Sequence, residues 1–188
     1  MSLIFVTSNA SKIEIANKFL SPHRIDFTSQ GLNIDEVQSE DFKEISIKKA
    51  ESAFTVLKQP LFISDHSWAI TALNGFPGPF MHYINNWLTT DDLLRLMEGK
   101  NNREVILHDT ICFIDHNGPQ FFTADHIGTI LTKKQGKALP AQEIISMSDD
   151  GVTIAKKLED DPSVLESSPL YNEFAEWIKL NRPEFILK

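Results

Sequence analysis

Two short apolar runs, each followed directly by small polar residues, constrain the fold of this chain most strongly. Leu3 to Val6 and Leu61 to Ile63 have the length and composition of buried strands. Between them lie two segments with apolar side chains at helical spacing, which end at Pro22 and Pro60 because proline cannot continue a helix. Strand–helix units of this kind predict an α/β fold with a mixed central sheet and flanking helices.

The rest of the chain adds helices and a hairpin to this pattern. The second helix, from about Phe42 to Lys58, carries an apolar stripe, and its lysines are expected on the other faces. The Asn117-Gly118 pair predicts a tight hairpin between two long strands. Further predicted elements are a short helix over 91–98 capped by Thr89 or Thr90, strands over 105–115, 121–131 and 144–147, and a last helix from near Pro169.

Length, charge and cysteine content limit the class of protein. With 188 residues the chain can bury one sizeable core, so we expect one domain over residues 1–188. A formal net charge of −8 argues against binding to nucleic acid or to an anionic membrane. The only cysteine, Cys112, lies in an apolar run and is expected in the core. We expect a cytoplasmic protein, because one cysteine allows no intrachain disulfide and the N-terminus is typical of a strand, not a signal peptide.

The first polar segment, Thr7-Ser8-Asn9-Ala10-Ser11-Lys12, stands between a predicted strand and a predicted helix. Small residues let backbone N–H groups approach a ligand, and the helix N-terminus adds partial positive charge to the full charge of Lys12. Such a loop suits a phosphate. An ordinary capped helix with a solvated lysine has the same composition, so this segment alone leaves both interpretations open.

Two further segments carry side chains that suit phosphate chemistry. The carboxylate of Glu36 could hold Mg²⁺, and Lys49 on the following helix could neutralise phosphate charge. Asp65 is expected just past a buried strand, at the carboxyl edge of the sheet, where it could bind metal or take a proton from an attacking water. Taken singly, Glu36 and Lys49 are also typical surface residues, and Asp65 is also typical of a turn that ends a strand.

In this order the segments resemble the inosine triphosphate pyrophosphatase family, also called the Ham1 family. Thr7 to Lys12 is similar to the family's Thr-Gly-Asn-x-x-Lys loop, and Asp65 stands where its acidic segment follows a buried strand. The segments 34–38 and 45–53 are similar to the Glu-x-Gln-like segment and the lysine-bearing helix. The most specific match is Ala72 to Pro79, which is similar to an Ala-Leu-x-Gly-x-Pro-Gly-Pro segment, and the resemblance covers roughly residues 3 to 131.

The resemblance implies an elongated α/β fold with an active-site cleft, usually as a homodimer. It also implies Mg²⁺-dependent hydrolysis of nucleoside triphosphates, commonly deaminated purines such as ITP, dITP and XTP, to a monophosphate and pyrophosphate. Glu36 and Asp65 would hold Mg²⁺, and Asp65 and Lys12 would be the catalytic side chains, with Asp65 binding the metal or orienting the attacking water. The residues that would bind the phosphates are Thr7, Ser8, Asn9, Lys12 and Lys49.

Several positions depart from the family's pattern. Ser8 replaces a glycine in the phosphate loop, Ser64 stands where the family often has a second acid, and His82 stands where a lysine is expected. The segment 136–143 contains no aromatic residue, although the family encloses the base with aromatic side chains there, and no Ser-His-Arg motif precedes the last helix. These departures predict altered base recognition. They also leave open a second function, that of a nucleotide-binding family member without efficient catalysis.

A third interpretation, from another class of protein, is a histidine-based zinc site near the hairpin. Its candidate ligands are His108, Asp109, His116, Asp125 and His126, because imidazole and carboxylate groups suit Zn²⁺. Adjacent Asp125 and His126 would point to opposite faces of a strand, however, and His116 falls in the turn. We therefore expect solvated hairpin ends and no metal site here.

Overall fold

The chain folds into a mixed sheet with flanking helices, as the sequence predicts. The structure, a computed structural model, describes residues 3–34, 37–161 and 169–187. The strands found there are β1 (Leu3–Val6), β2 (Phe27–Gln30), β3 (Leu61–Ile70), β4 (Pro77–Gly78), β5 (Glu104–Asp115), β6 (Gly118–Ile130) and β7 (Ile145–Ser146). The helices are α1 (Ala10–Leu20), α2 (Phe42–Leu57), α3 (Met81–Trp87), α4 (Thr90–Leu96), α5 (Ile154–Asp160) and α6 (Pro169–Asn181).

Strand β1 organises the first part of the sheet. It lies between β2 and β3 and pairs with both in parallel, with Phe5 opposite Phe62 of β3. The order continues from β3 through β5 and β6 to β7, while β4 pairs antiparallel with β3 off this path. Because β1 and β3 run in the same direction, the loop that leaves β1 at Thr7 lies beside Ser64 and Asp65 of β3.

The described chain divides into two compact units. Of the described residues, those within 3–65, 109–124 and 169–187 form unit 1, and those within 66–108 and 125–161 form unit 2. This division does not test the prediction of one domain over residues 1–188, which therefore remains a prediction.

Unit 1 has an apolar layer on each face of its part of the sheet, because successive strand residues point to opposite faces. One layer packs α1 and α6 against the strands and is rich in phenylalanine, with the rings of Phe5 and Phe62 stacked at 4.3 Å. The other layer packs Ala50 and Ala53 of α2 against the strands and includes Cys112. Cys112 is fully buried, as predicted, and burial raises the pKa of its thiol to about 12.

Unit 2 has an apolar core of its own. Residues from α3, α4 and α5 contribute to it, together with the ends of β3, β5 and β6 that belong to this unit. Helix α4 begins after the N-cap Thr89, whose side chain forms a capping box with Asp92. Of the two predicted caps for this helix, the structure therefore uses Thr89.

Most predicted elements are present, and several departures from the prediction are informative. β3 does not end before Ser64 but continues to Ile70, because its later residues pair with β4. Asp65 thus lies within a strand, so its placement just past a strand or in a strand-ending turn is wrong. β2 and α3 gave little signal, since β2 is mostly exposed and α3 contains two asparagines, which are weak helix formers. α5 was missed although Thr153 caps it in the ordinary way.

No helix of the described residues is both long enough and apolar enough to cross a membrane.

Candidate active site

The polar loop between β1 and α1 is held by its own side chains. The side-chain oxygen of Asn9 accepts hydrogen bonds from the backbone N–H groups of Ser11 and Lys12, at 2.9 and 3.4 Å. The Thr7 hydroxyl oxygen accepts one from the backbone N–H of Asn9 at 3.1 Å. The capped helix of the ordinary interpretation is therefore confirmed, but its solvated lysine is wrong, because Lys12 pairs with Asp65 and its side chain is 21% exposed. Donors that could still turn to a ligand are the Thr7 hydroxyl hydrogen, the Asn9 amide N–H₂ group and the Lys12 ammonium group.

Ser8, which replaces a glycine of the family's loop, is accommodated by Gly31. The backbone of Ser8 does not adopt a positive φ, so this position does not require glycine. A Cβ atom added to Gly31 would lie 3.3 Å from the Cβ of Ser8, which is a tight contact. The missing side chain at residue 31 thus leaves the room that the Ser8 side chain occupies.

We expect Gly31→Ala to weaken triphosphate binding modestly. The new methyl group would push the exposed Ser8 out of place, at a cost of about 0.5 kcal/mol, or about two- to threefold in KM. The double variant Ser8→Gly/Gly31→Ala should have the same KM as Ser8→Gly alone, because the crowded atom of Ser8 is gone from both proteins. Steady-state kinetics on Gly31→Ala, Ser8→Gly and the double variant checks this, and a double variant with a KM clearly above that of Ser8→Gly would contradict it.

Three predicted site residues from three elements meet in unit 1. Asp65 of β3 forms ion pairs with Lys12 of α1 through Oδ1 and with Lys49 of α2 through Oδ2, both at 3.3 Å. Lys12 Nζ also donates a hydrogen bond to the Ser64 carbonyl oxygen at 2.7 Å. The side chains of Lys12, Lys49 and Asp65 are 21%, 23% and 35% exposed. The group is thus half-buried but open to a small ligand.

Lys49 reaches this group because it lies on the inward side of α2. Ile45 and Ala53, four residues before and after it, are buried. The prediction that the lysines of this helix point away from its packed side is therefore wrong for Lys49. It holds for Lys48, whose side chain is 55% exposed and pairs with Glu51. The four-residue spacing from Ile45 was a signal from which the orientation of Lys49 could have been read.

Two buried hydroxyl groups that sequence reasoning missed support the backbone of Asp65. The Thr110 hydroxyl donates a hydrogen bond to the Asp65 carbonyl oxygen at 3.0 Å. The hydroxyls of Ser46 and Thr110 lie 3.3 Å apart, and both residues are about 2% exposed. An Asp-Thr pair inside the apolar run of β5 was the available signal, since buried polar side chains normally have a partner.

The charges of this group suit a polyanion. Two ammonium groups face one carboxylate, so the three side chains together carry a net charge of +1 at neutral pH. A triphosphate can take over both lysines, because phosphate oxygens accept hydrogen bonds from ammonium groups. The Asp65 carboxylate would then be released to a metal ion or a water molecule.

The other residues considered as metal ligands in the sequence analysis are not part of this group in the described structure. Glu36 lies outside the described residues. In residues 3–34, 37–161 and 169–187, no group of three or more His, Cys, Asp or Glu side chains is placed to hold a metal ion. Among the candidate zinc ligands, His108 of β5 pairs with Asp125 of β6 at 2.6 Å, so these two lie within strands and are not the hairpin ends that we expected. Asp109 is 3% exposed, so it is not the solvated side chain that we expected.

His82, which stands where the family has a lysine, is on the exposed side of α3. Its Nε2 lies 3.2 Å from the side-chain nitrogen of Asn86, one helical turn further on. The interpretation of His82 as a surface histidine therefore agrees with its position.

The segment 136–143 has no regular secondary structure. Gly136 lies so close to the backbone of Lys156 that a Cβ atom added to Gly136 would be 2.5 Å from the Lys156 backbone nitrogen.

Comparison with known proteins identifies the family of this chain. The sequence model of the Ham1 family matches residues 3–140. The chain belongs to the Ham1 family. The match includes the loop after β1, the lysine of α2, Asp65 and the Pro-Gly-Pro segment, and it ends within the segment that lacks the aromatic residues.

The chain is similar to named relatives and to solved structures over most of its length. The chain is 29% identical to the dITP/XTP pyrophosphatase of Methanopyrus kandleri over 190 residues, which is 96% of this chain and 98% of that protein. It is 33% identical to the dITP/XTP pyrophosphatase of Korarchaeum cryptofilum over 134 residues, or 71% of this chain and 72% of that protein. The Ham1 protein of Staphylococcus aureus has the same fold, with a TM-score of 0.77, 17% identity and coverage of 97% and 100% of the two chains.

Proposed function

We propose that this Ham1-family chain hydrolyses non-canonical purine nucleoside triphosphates, such as dITP and XTP, to the monophosphate and pyrophosphate. The observation that carries the proposal is the meeting of Lys12, Lys49 and Asp65 in one half-buried group. The relatives that bear the name dITP/XTP pyrophosphatase support the reaction and the substrate class.

The side chains have separate tasks in this reaction. Lys12 and Lys49 bind phosphate oxygens and neutralise the charge that would otherwise repel an attacking water. Thr7 and Asn9 donate further hydrogen bonds from the loop before α1. The carboxylate of Asp65, released from the lysines, orients the attacking water or accepts its proton. Positioning and charge neutralisation supply most of the rate enhancement in such reactions, so no covalent intermediate is required.

The group fits Mg²⁺ as its metal. Mg²⁺ prefers oxygen ligands, keeps several waters and is usually held by one or two carboxylates plus substrate phosphates. Asp65, 35% exposed and already facing two cations, supplies one such carboxylate, and Glu36 would supply a second. When bound, Mg²⁺ would neutralise charge and polarise the phosphate that is attacked.

Base recognition is altered in this proposal. The segment 136–143 has no aromatic side chain to stack on a purine, and no histidine or arginine precedes α6 at the family's motif. Discrimination between bases depends on buried polar groups that pair only with the right base. We therefore propose relaxed selectivity among purines. A homodimer and a cytoplasmic location belong to the same proposal, and sedimentation velocity tests the dimer.

A panel of nucleoside triphosphates tests the function. The purified protein is incubated with Mg²⁺ and each of dITP, ITP, XTP, dATP, dGTP, dCTP and dTTP, and the products are separated chromatographically. We expect monophosphate and pyrophosphate from the deaminated purines, with less preference over dATP and dGTP than an aromatic base pocket would give. No product from any nucleotide that binds would overturn the proposal in favour of a nucleotide-binding protein without catalysis.

Removal of the metal is expected to stop the reaction. EDTA in excess over Mg²⁺ should abolish pyrophosphate release, and added Mg²⁺ should restore it, because two lysines cannot neutralise a triphosphate of about −4 charge alone. The control is the circular dichroism spectrum with EDTA, which should be unchanged. Turnover that is indifferent to EDTA would rule out the metal.

A further inference from the structure

A carboxylate that the proposed chemistry does not use is buried beside the site. Asp109 of β5 is 3% exposed, and the four strand residues after Thr110 are apolar and buried. Carboxylates are rarely buried to this extent unless other groups compensate the loss of water. Asp109 therefore belongs to a polar arrangement inside unit 1.

Asp109 lies on the opposite face of the sheet from Thr110. Thr110 faces α2, where its hydroxyl meets that of Ser46. Asp109 lies on the same face as Ile111, which belongs to the core layer that also contains Tyr171 of α6. The carboxylate thus lies on the α6 side of the sheet.

Tyr171 reaches β3 from the same side of the sheet. Tyr171 is 3% exposed, and its hydroxyl is hydrogen-bonded to the side chain of Ser64. Burial raises the pKa of Tyr171 strongly, the Ser64 hydrogen bond lowers it and the charge of Asp109 raises it. Tyr171 therefore keeps its proton at physiological pH.

Ser64 in turn presents its backbone to the site. Its carbonyl oxygen accepts the 2.7 Å hydrogen bond from Lys12 Nζ, and the next residue is Asp65. The end of α6 is itself fixed to the hairpin strand, since Arg182 Nε donates to Asp115 Oδ2 at 2.6 Å. A rigid helix thus holds Tyr171 against this part of β3.

We propose that Asp109 and Tyr171 are positioning residues that act through the Ser64 side chain and hold the segment of β3 from which Asp65 faces the two lysines. This inference rests on the proposed function. The Thr110 hydroxyl supports Asp65 from one face of the sheet, and the Tyr171 hydroxyl supports Ser64 from the other face. Loss of one support would let the carboxylate shift, while the lysines that bind the phosphates stay in place.

Tyr171→Phe and Asp109→Asn, singly and combined, test the proposal on dITP with Mg²⁺. We expect each single variant to lower kcat about tenfold, because small displacements of a reacting group are costly, with KM within about twofold of wild type. The double variant should be no slower than the slower single variant, because in this proposal the charge of Asp109 acts on β3 through Tyr171 and its hydrogen bond to Ser64. The matched control is Tyr83→Phe, which removes the hydroxyl of the exposed tyrosine on α3 and should leave kcat unchanged.

Several outcomes would overturn the proposal. A folded Tyr171→Phe protein with wild-type kcat would do so, and so would losses that multiply in the double variant. If Asp109→Asn does not fold, Tyr171→Phe, which lacks a single oxygen atom, decides alone. If wild type turns over no nucleotide, the proposed function fails separately, and calorimetry with dITP decides the positioning role. In that case Mg²⁺ should raise the dITP affinity of wild type but not that of Tyr171→Phe. If Mg²⁺ raises the affinity of both proteins equally, or of neither, the proposal is contradicted.

Discussion

Asp65→Asn is expected to reduce the release of pyrophosphate by roughly 1,000-fold, the size of the loss when a single group that stabilises a transition state is removed. Asparagine keeps the shape of the side chain but loses the charge that faces both Lys12 and Lys49 at 3.3 Å. Its amide nitrogen would also place a donor against an ammonium group. The variant should fold normally, because ion pairs between partly exposed groups contribute little to stability.

A matched control separates the site from a general effect of the substitution. Asp91→Asn removes a carboxylate from an exposed ion pair with Lys134, which is 3.6 Å long. That variant should release pyrophosphate at the wild-type rate. Full activity in Asp65→Asn, with a thermal unfolding curve like that of wild type, would refute the role of Asp65.

Lys12→Met is expected to weaken triphosphate binding roughly 100-fold. Charge-assisted hydrogen bonds contribute about 2–3 kcal/mol, which corresponds to this factor, and methionine keeps the apolar part of the side chain. The unfolding temperature should change little, since the side chain is 21% exposed. Calorimetric titration of a non-hydrolysable dITP analogue into the variant gives the dissociation constant.

Lys18→Met is the control for this measurement, because Lys18 lies on the same helix with its ammonium group 5.8 Å from the ring centre of Phe19. It removes the same charge from α1 outside the site and should leave the affinity unchanged. Equal losses in both variants would show that only the net charge of the protein matters. Unchanged affinity in Lys12→Met would remove Lys12 from the phosphate site.

Local sequence signals were sufficient for the first part of the fold. The apolar run of β1, the small polar residues after it and the stop at Pro22 predict a strand, a loop and a helix because each depends on neighbouring residues only. The capping role of Asn9 follows from the same local chemistry. The contact between Lys12 and Asp65 is not local, and the sequence reached it only through the resemblance to the Ham1 family.

Other features depend on residues that are distant in the sequence. β3 continues beyond Asp65 because β4 pairs with it, and no local pattern shows such pairing. The hydrogen bond of Tyr171 to Ser64 joins residues more than a hundred positions apart, so neither residue alone indicates it. Lys49 is different: its spacing from Ile45 and Ala53 placed it on the inward side of α2, and that signal was available in the sequence.

The most direct test of the account is the stoichiometry of products from dITP, measured on wild type and Asp65→Asn purified in parallel. The account predicts one dIMP and one pyrophosphate for each dITP consumed by wild type, and almost none with the variant. Equal turnover in both preparations would assign the activity to a contaminant or to other residues. Release of dIDP and orthophosphate would contradict cleavage between the α- and β-phosphates, and with it the proposed reaction.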